Sequence, residues 1–141
     1  MKVNEVMTKS PAFCTAETGL QEVAKMMCDR DCGEIPVLEN KLSLKPVGVI
    51  TDRDIVCRTV AQGRNPADLQ ASDCMTSPAI TIRADLDIDE CCDILESKRI
   101  RRVLVVDDQG RCSGIVSQAD IARKCGPGKA GEVVREVSLA A

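Results

Sequence analysis

Apolar positions along this chain fall in two rhythms, short unbroken runs and helical i, i+3, i+4, i+7 stripes, and the alternation between them occurs twice. In the first pass, Ala12 to Thr15 predicts a short strand. Thr18 then caps a helix over Gly19 to Arg30, in which Leu20, Val23, Ala24 and Met27 form the buried stripe and Asp31 marks the polar exit. The runs Ile35-Pro36-Val37-Leu38 and Pro46-Val47-Gly48-Val49-Ile50, joined through Asn40-Lys41, predict a hairpin. A second helix is expected from Asp52 to about Gln62, with Gly63 placed to end it in the left-handed conformation.

The second pass repeats the plan. Ile80-Thr81-Ile82 is the strand, and Asp87 to Lys98 the helix, with Ile88, Cys91, Cys92 and Leu95 inward. Val103 to Val106 and Cys112 to Val116 form the hairpin around Asp108-Gln109-Gly110, and Asp120 to Lys124 lies in the last helix of the copy. Literal sequence markers follow the same order. Gly48-Val49-Ile50-Thr51-Asp52-Arg53-Asp54-Ile55 recurs as Gly114-Ile115-Val116-Ser117-Gln118-Ala119-Asp120-Ile121 at an offset of 66, and Met7-Thr8 recurs as Met75-Thr76 at 68. Ile35 pairs with Val103 at 68, so the two-residue difference falls in the hairpin turn, where insertions are tolerated. The expected organisation is repeat one over 1–63, a linker with a short helix over 64–71 opened by Asn65-Pro66, repeat two over 72–126, and a tail over 127–141. Gly126-Pro127-Gly128 breaks the structure. Beyond it, Val133, Val134 and Val137 fit either a short docking helix or a disordered tail. Two copies of one unit imply pseudo-twofold symmetry and a cleft between them.

Composition narrows the function classes. A formal charge of −3 supplies no basic field for nucleic acid, and one Phe with no Trp or Tyr supplies no stacking platform. The longest apolar runs, such as Val103 to Val106, are far too short to cross a bilayer, and Met1 to Glu5 lacks the apolar region of a secretory signal, so a cytoplasmic protein without membrane insertion is expected. The nine cysteines include no CxxC pair and the chain has no histidine; most are expected as free thiols packed like small hydrophobes. Cys28 and Cys32, four apart, are the weak candidates for a soft metal. No arrangement of nucleophile, base and paired acids suggests an enzyme.

Thr51-x-x-Asp54 and Ser117-x-x-Asp120 each follow an apolar strand and open a helix. Hydroxyl, two residues, acid is the pattern of a capping box, which satisfies helix N-terminal amides whether or not anything binds. The same geometry offers donors to a phosphate and, one turn in, a carboxylate able to accept from paired ribose hydroxyls. The duplication of the whole strand–motif–helix context makes the pattern specific.

On these residues the chain resembles a tandem pair of cystathionine-β-synthase (CBS) domains, a Bateman module, over about residues 2 to 125. It is similar in particular to small stand-alone bacterial CBS-pair proteins. The resemblance implies an α/β (α+β) fold of two tandem β-α-β-β-α repeats packed about a pseudo-twofold axis, with clefts that take adenosine nucleotides. It implies Asp54 and Asp120 as ribose acceptors and Thr51 and Ser117 near phosphate. Cys14, Thr15, Ile80 and Thr81, with Ile35-Pro36-Val37 and Val103-Leu104-Val105, would enclose the base. Arg101-Arg102 precede the second-strand run of copy two and suit a phosphate, whereas copy one has Gly33-Glu34, so unequal sites are expected. Arg53, Arg58 and Arg123 are read as solvated charges. The function expected is a regulatory sensor of AMP, ADP or ATP, requiring no cofactor, acting as a homodimer on an unknown target protein. The alternatives are a dimeric interaction scaffold with a degenerate site, and a cysteine-based metal- or redox-responsive protein.

Overall fold

The computed structural model describes residues 1–139. They form two compact units, one of Pro11–Ala79 and one of Met1–Ser10 with the chain from Ile80 onward. The linker and Met75-Thr76 therefore stay with the first repeat, and the first ten residues join the second.

In the first-repeat unit, helix α2 (Leu20–Arg30) packs over the antiparallel hairpin of β2 (Glu34–Leu38) and β3 (Pro46–Thr51), and α3 (Asp52–Arg58) follows β3 directly. The core comprises Leu20, Val23, Met27, Ile35, Val37, Ile50, Cys14, Ala71 and Cys74. The expected strand at Ala12 to Thr15 reduces to a single parallel bridge, Cys14 to Val37, in which Cys14 N–H donates to Pro36 O at 3.0 Å and Leu38 N–H to Cys14 O at 2.8 Å. The next rung would need an N–H from Pro36, which has none. The cap of α2 is Gly19, not Thr18, because Thr18 Oγ1 accepts from Thr15 N–H at 3.0 Å in the preceding turn. Helix α3 is shorter than expected. Buried Thr59 turns its hydroxyl onto Ile55 O at 2.5 Å, and the chain tightens into a 3₁₀ turn, Val60–Gln62, before Gly63 at φ 73°. The linker helix is one 3₁₀ turn, Pro66–Asp68, capped by Asn65.

The second-repeat unit begins with α1 (Val3–Val6) and β1 (Thr8–Lys9) from the start of the chain. It continues with β4 (Thr81–Arg83), α4 (Ile88–Lys98), β5 (Arg102–Val106), β6 (Cys112–Ser117), α5 (Gln118–Cys125) and α6 (Pro127–Ser138). Its sheet runs β1-β6-β5-β4, antiparallel except for the parallel β4–β5 pair. At the position of Pro36 this copy has Leu104, whose N–H is available, and β4 extends over three residues. The Gly126-Pro127-Gly128 run ends α5 and also starts α6, with Pro127 in its first turn. In α6, Ala130, Val133 and Val137 are buried with Cys91, Leu95 and Ile121 while Val134 faces out; Ala140 and Ala141 lie outside the described residues.

The two sequence markers meet in space. Thr76 and Val49 exchange backbone bonds at 2.8 and 2.9 Å, and Thr8 pairs with Ile115 in the same manner. A Cβ on Gly48 would lie 2.7 Å from Thr76 O, and one on Gly114 2.9 Å from Thr8 O and 2.5 Å from Met7 Sδ. The Met-Thr pair and the glycine recur together because each glycine admits the backbone of a Met-Thr segment.

Candidate functional site: the two strand–helix corners

Thr51 ends β3 and caps α3. Its Oγ1 accepts from Asp54 N–H at 3.0 Å, and Asp54 Oδ2 accepts from Thr51 N–H at 3.0 Å. The other oxygen, Oδ1, faces the Arg58 guanidinium at 3.5 Å, and the carboxylate side chain keeps 15% of its exposure. Arg58 is fixed from the other side by donating to Cys74 O at 2.8 Å.

Ser117 and Asp120 repeat the box at the end of β6. Asp120 N–H donates to Ser117 Oγ at 3.2 Å, and Ser117 N–H and hydroxyl both reach Asp120 Oδ2 at 2.9 Å. Here Oδ1 is engaged as well. Thr8 Oγ1 donates to it at 3.1 Å and Arg123 Nη2 at 2.6 Å, and the side chain is only 4% exposed. Arg58 and Arg123, expected as solvated charges, are thus partners of the motif acids, each on the same helix face three or four residues on.

The remaining candidates separate by strand periodicity. Ile35 and Val37 in β2 and Val103 and Val105 in β5 have their side chains buried in the cores of their units. Pro36 and Leu104, also buried, take the alternate face of their strands. Cys14 is a core residue, and Thr15 is held in the turn with Thr18. Its true counterpart is Ile82, which faces Val105 as Cys14 faces Val37, so the equivalent pair lies two residues beyond exposed Ile80 and Thr81. Arg102 stands opposite Ser117 in the β5–β6 register, and the Arg101 carbonyl accepts from Gln118 N–H at 3.1 Å, so both flank the second corner. Glu34 stands opposite Thr51 in the same register position of the first.

The thiols do not assemble. Helix α2 ends at Arg30 and Asp31 turns left-handed at φ 49°, so Cys32 leaves the helix face that carries Cys28. Among the described residues no group of three or more cysteines and carboxylates is arranged to hold a metal. Burial pushes the Cys14 and Cys91 thiols up to about 12 and Cys92 to about 11, which keeps them neutral and unreactive.

The CBS domain model matches residues 3–58 and again 71–126. The chain belongs to the CBS family. As a CBS pair it is 38% identical over 117 residues to the uncharacterized protein MK0525 of Methanopyrus kandleri, covering 83% of this chain and 56% of that protein, so it spans little more than half of that relative. Among solved structures it is similar to Hypoxic Response Protein I with two coordinated zinc ions, at TM-score 0.78 and 28% identity over 88% of this chain and 98% of that one. It is likewise similar to the CBS domain pair of MJ0100 in complex with 5′-methylthioadenosine and S-adenosyl-L-methionine, at TM-score 0.76 and 28% identity, covering 87% and 94%. No helix among the described residues is long and apolar enough to cross a membrane. The corners themselves were legible in the sequence. What sequence reasoning missed is Thr8, whose only signal was its repeat with Thr76.

Proposed function

We propose that this chain is a regulatory module that binds an adenosine-containing ligand through ribose hydroxyls at a motif carboxylate, and passes occupancy to a separate target protein. The observation that carries the reading is Asp54, a partly exposed carboxylate with one oxygen fixed by Thr51 and the other facing, among the described residues, only Arg58 at 3.5 Å. A fixed oxygen beside an available one suits a vicinal diol. The likeness to the MJ0100 pair, crystallised with two adenosine compounds, supports the ligand class. Arg101 and Arg102 beside the second corner support a phosphorylated ligand such as AMP, ADP or ATP there, whereas Glu34 at the first favours one without phosphate. Val56 and Val60, both more than half exposed at the α3 end of the first repeat, support a homodimer. The zinc of the Hypoxic Response Protein I structure is not carried over, because this chain has no histidine and the described thiols form no ligand set.

Isothermal titration of the reduced protein with AMP, ADP, ATP, 5′-methylthioadenosine and S-adenosylmethionine tests the reading, with Asp54→Ala alongside. Saturable binding by at least one compound is expected, with the component at the first corner lost in Asp54→Ala while the fold is retained. No heat and no thermal shift with any of the five at millimolar concentration overturns it.

A further inference from the structure

We infer that the second corner is a self-occupied site, in which the Thr8 hydroxyl and the Arg123 guanidinium stand on Asp120 Oδ1 in place of ligand hydroxyls, so that Thr8 gates that corner. The inference rests on the reading of the motif carboxylates as ribose acceptors. Asp120 Oδ2 takes the Ser117 N–H and hydroxyl, and Oδ1 takes Thr8 at 3.1 Å and Arg123 at 2.6 Å. A carboxylate offers about four lone-pair sites. Four donors on a side chain 4% exposed leave none for a diol.

The gate is held in place but its moving parts are small. Buried Met7 and the β1–β6 pairing fix the Thr8 backbone, and Gly114 admits it. Thr8 itself is exposed and Arg123 is 65% exposed, so rotation of the two side chains releases Oδ1 without unpairing the strand. The first corner has no such gate. Thr76 pairs with Val49 as Thr8 pairs with Ile115, yet among the described residues no hydrogen bond joins its hydroxyl to Asp54. A ligand at the second corner must therefore displace a hydroxyl that the protein itself supplies.

The test is titration with AMP in an Asp54→Asn background, which leaves the second corner as the only intact one. Thr8→Ala added to Asp54→Asn is expected to tighten AMP binding about tenfold or more, the scale of one hydrogen bond to a charged group. Thr8→Ser added to the same background, which keeps the hydroxyl, is expected to bind as weakly as Asp54→Asn alone. Equal affinity with and without Thr8→Ala, while wild type binds, overturns the gate and leaves the adenosine reading standing. Absence of binding by wild type and by every variant overturns both. Without ligand, the melting-temperature losses of Thr8→Ala and Asp120→Asn are expected to be non-additive, and simple additivity overturns the contact on which the gate depends.

Discussion

At the corner of the first repeat, Asp54 has one oxygen in a capping box and the other beside Arg58 at 3.5 Å; at the corner of the second, both oxygens of Asp120 are held, by Ser117, Thr8 and Arg123. The same sequence motif has become a partly open acceptor in one copy and an internal junction in the other. The layer behind each corner differs in the same sense. Helix α6 lies over α4 and α5, and Ile121 is fully buried; none of the residues of α3 is, and Ile55, the counterpart of Ile121, is half-buried. Polar contacts shielded from water are stronger and costlier to break. A duplicated motif thus fixes local geometry, while its role depends on what the rest of the chain lays against it.

The sharpest way to break this comparison is to remove the layer found only in the second unit. Val133→Asp puts a carboxylate into the core beneath α6 and is expected to cost about 3–5 kcal/mol, while Val134→Asp, one position on and facing out, stays within about 0.5 kcal/mol. Urea unfolding checks the pair. If the two substitutions cost the same, α6 does not dock as described.

Next in size is the contrast between the acids. Asp120→Ala removes a buried carboxylate from its four donors and is expected to cost about 2–3 kcal/mol, with the exposed Arg123 adding little. Asp54→Ala loses mainly a helix cap, about 1 kcal/mol. Equal losses in chemical denaturation would erase the distinction between the corners. Gly48→Ala and Gly114→Ala should each cost about 1–3 kcal/mol by overpacking, Gly114 the more because its new methyl meets both Met7 and Thr8. Amide exchange at Val49 and Ile115 reads which segment has loosened.

The smallest effect is on the thiols. With folded-state values raised to about 12, Cys14 and Cys91 stay protonated at a pH where the unfolded chain ionises near 9.0, so their contribution is complete below that pH and is lost as pH rises from there toward about 12. Melting temperature in reducing buffer is expected to fall over that alkaline window. In mild native alkylation, exposed Cys28 and Cys57 should label first and Cys14, Cys91 and Cys92 last. Rapid labelling of Cys91 would contradict its burial.

Much of the fold was legible because period and punctuation agreed. The stripe of α4, the hairpins and both capping boxes stand where apolar spacing and Ser, Thr and Asp placed them. The misreadings have local causes. One missing N–H at Pro36 removed a strand, and one hydroxyl at Thr59 shortened a helix. At the site, the acids and their hydroxyls were legible as capping boxes, and the expected apolar wall coincides with core positions. Ile35, Val37 and Val103 read equally well as lining or as core, and only burial separates the two. Thr8 was invisible for a different reason. Its bond to Asp120 spans 112 residues, and no local pattern encodes a contact of that separation.

That separation also bears on how the molecule comes into being. Pro11–Ala79 is one continuous stretch whose contacts are all available as soon as it leaves the ribosome. The other unit takes β1 (Thr8–Lys9) from before that stretch and its covering helix, α6 (Pro127–Ser138), from after it. Until β6 is synthesised, β1 lacks the strand it pairs with, and Val3, Val6 and Met7 lack the core they pack into. The unit whose motif acid is the more deeply covered is therefore the one that closes later, and its completion requires segments on either side of Pro11–Ala79 to meet.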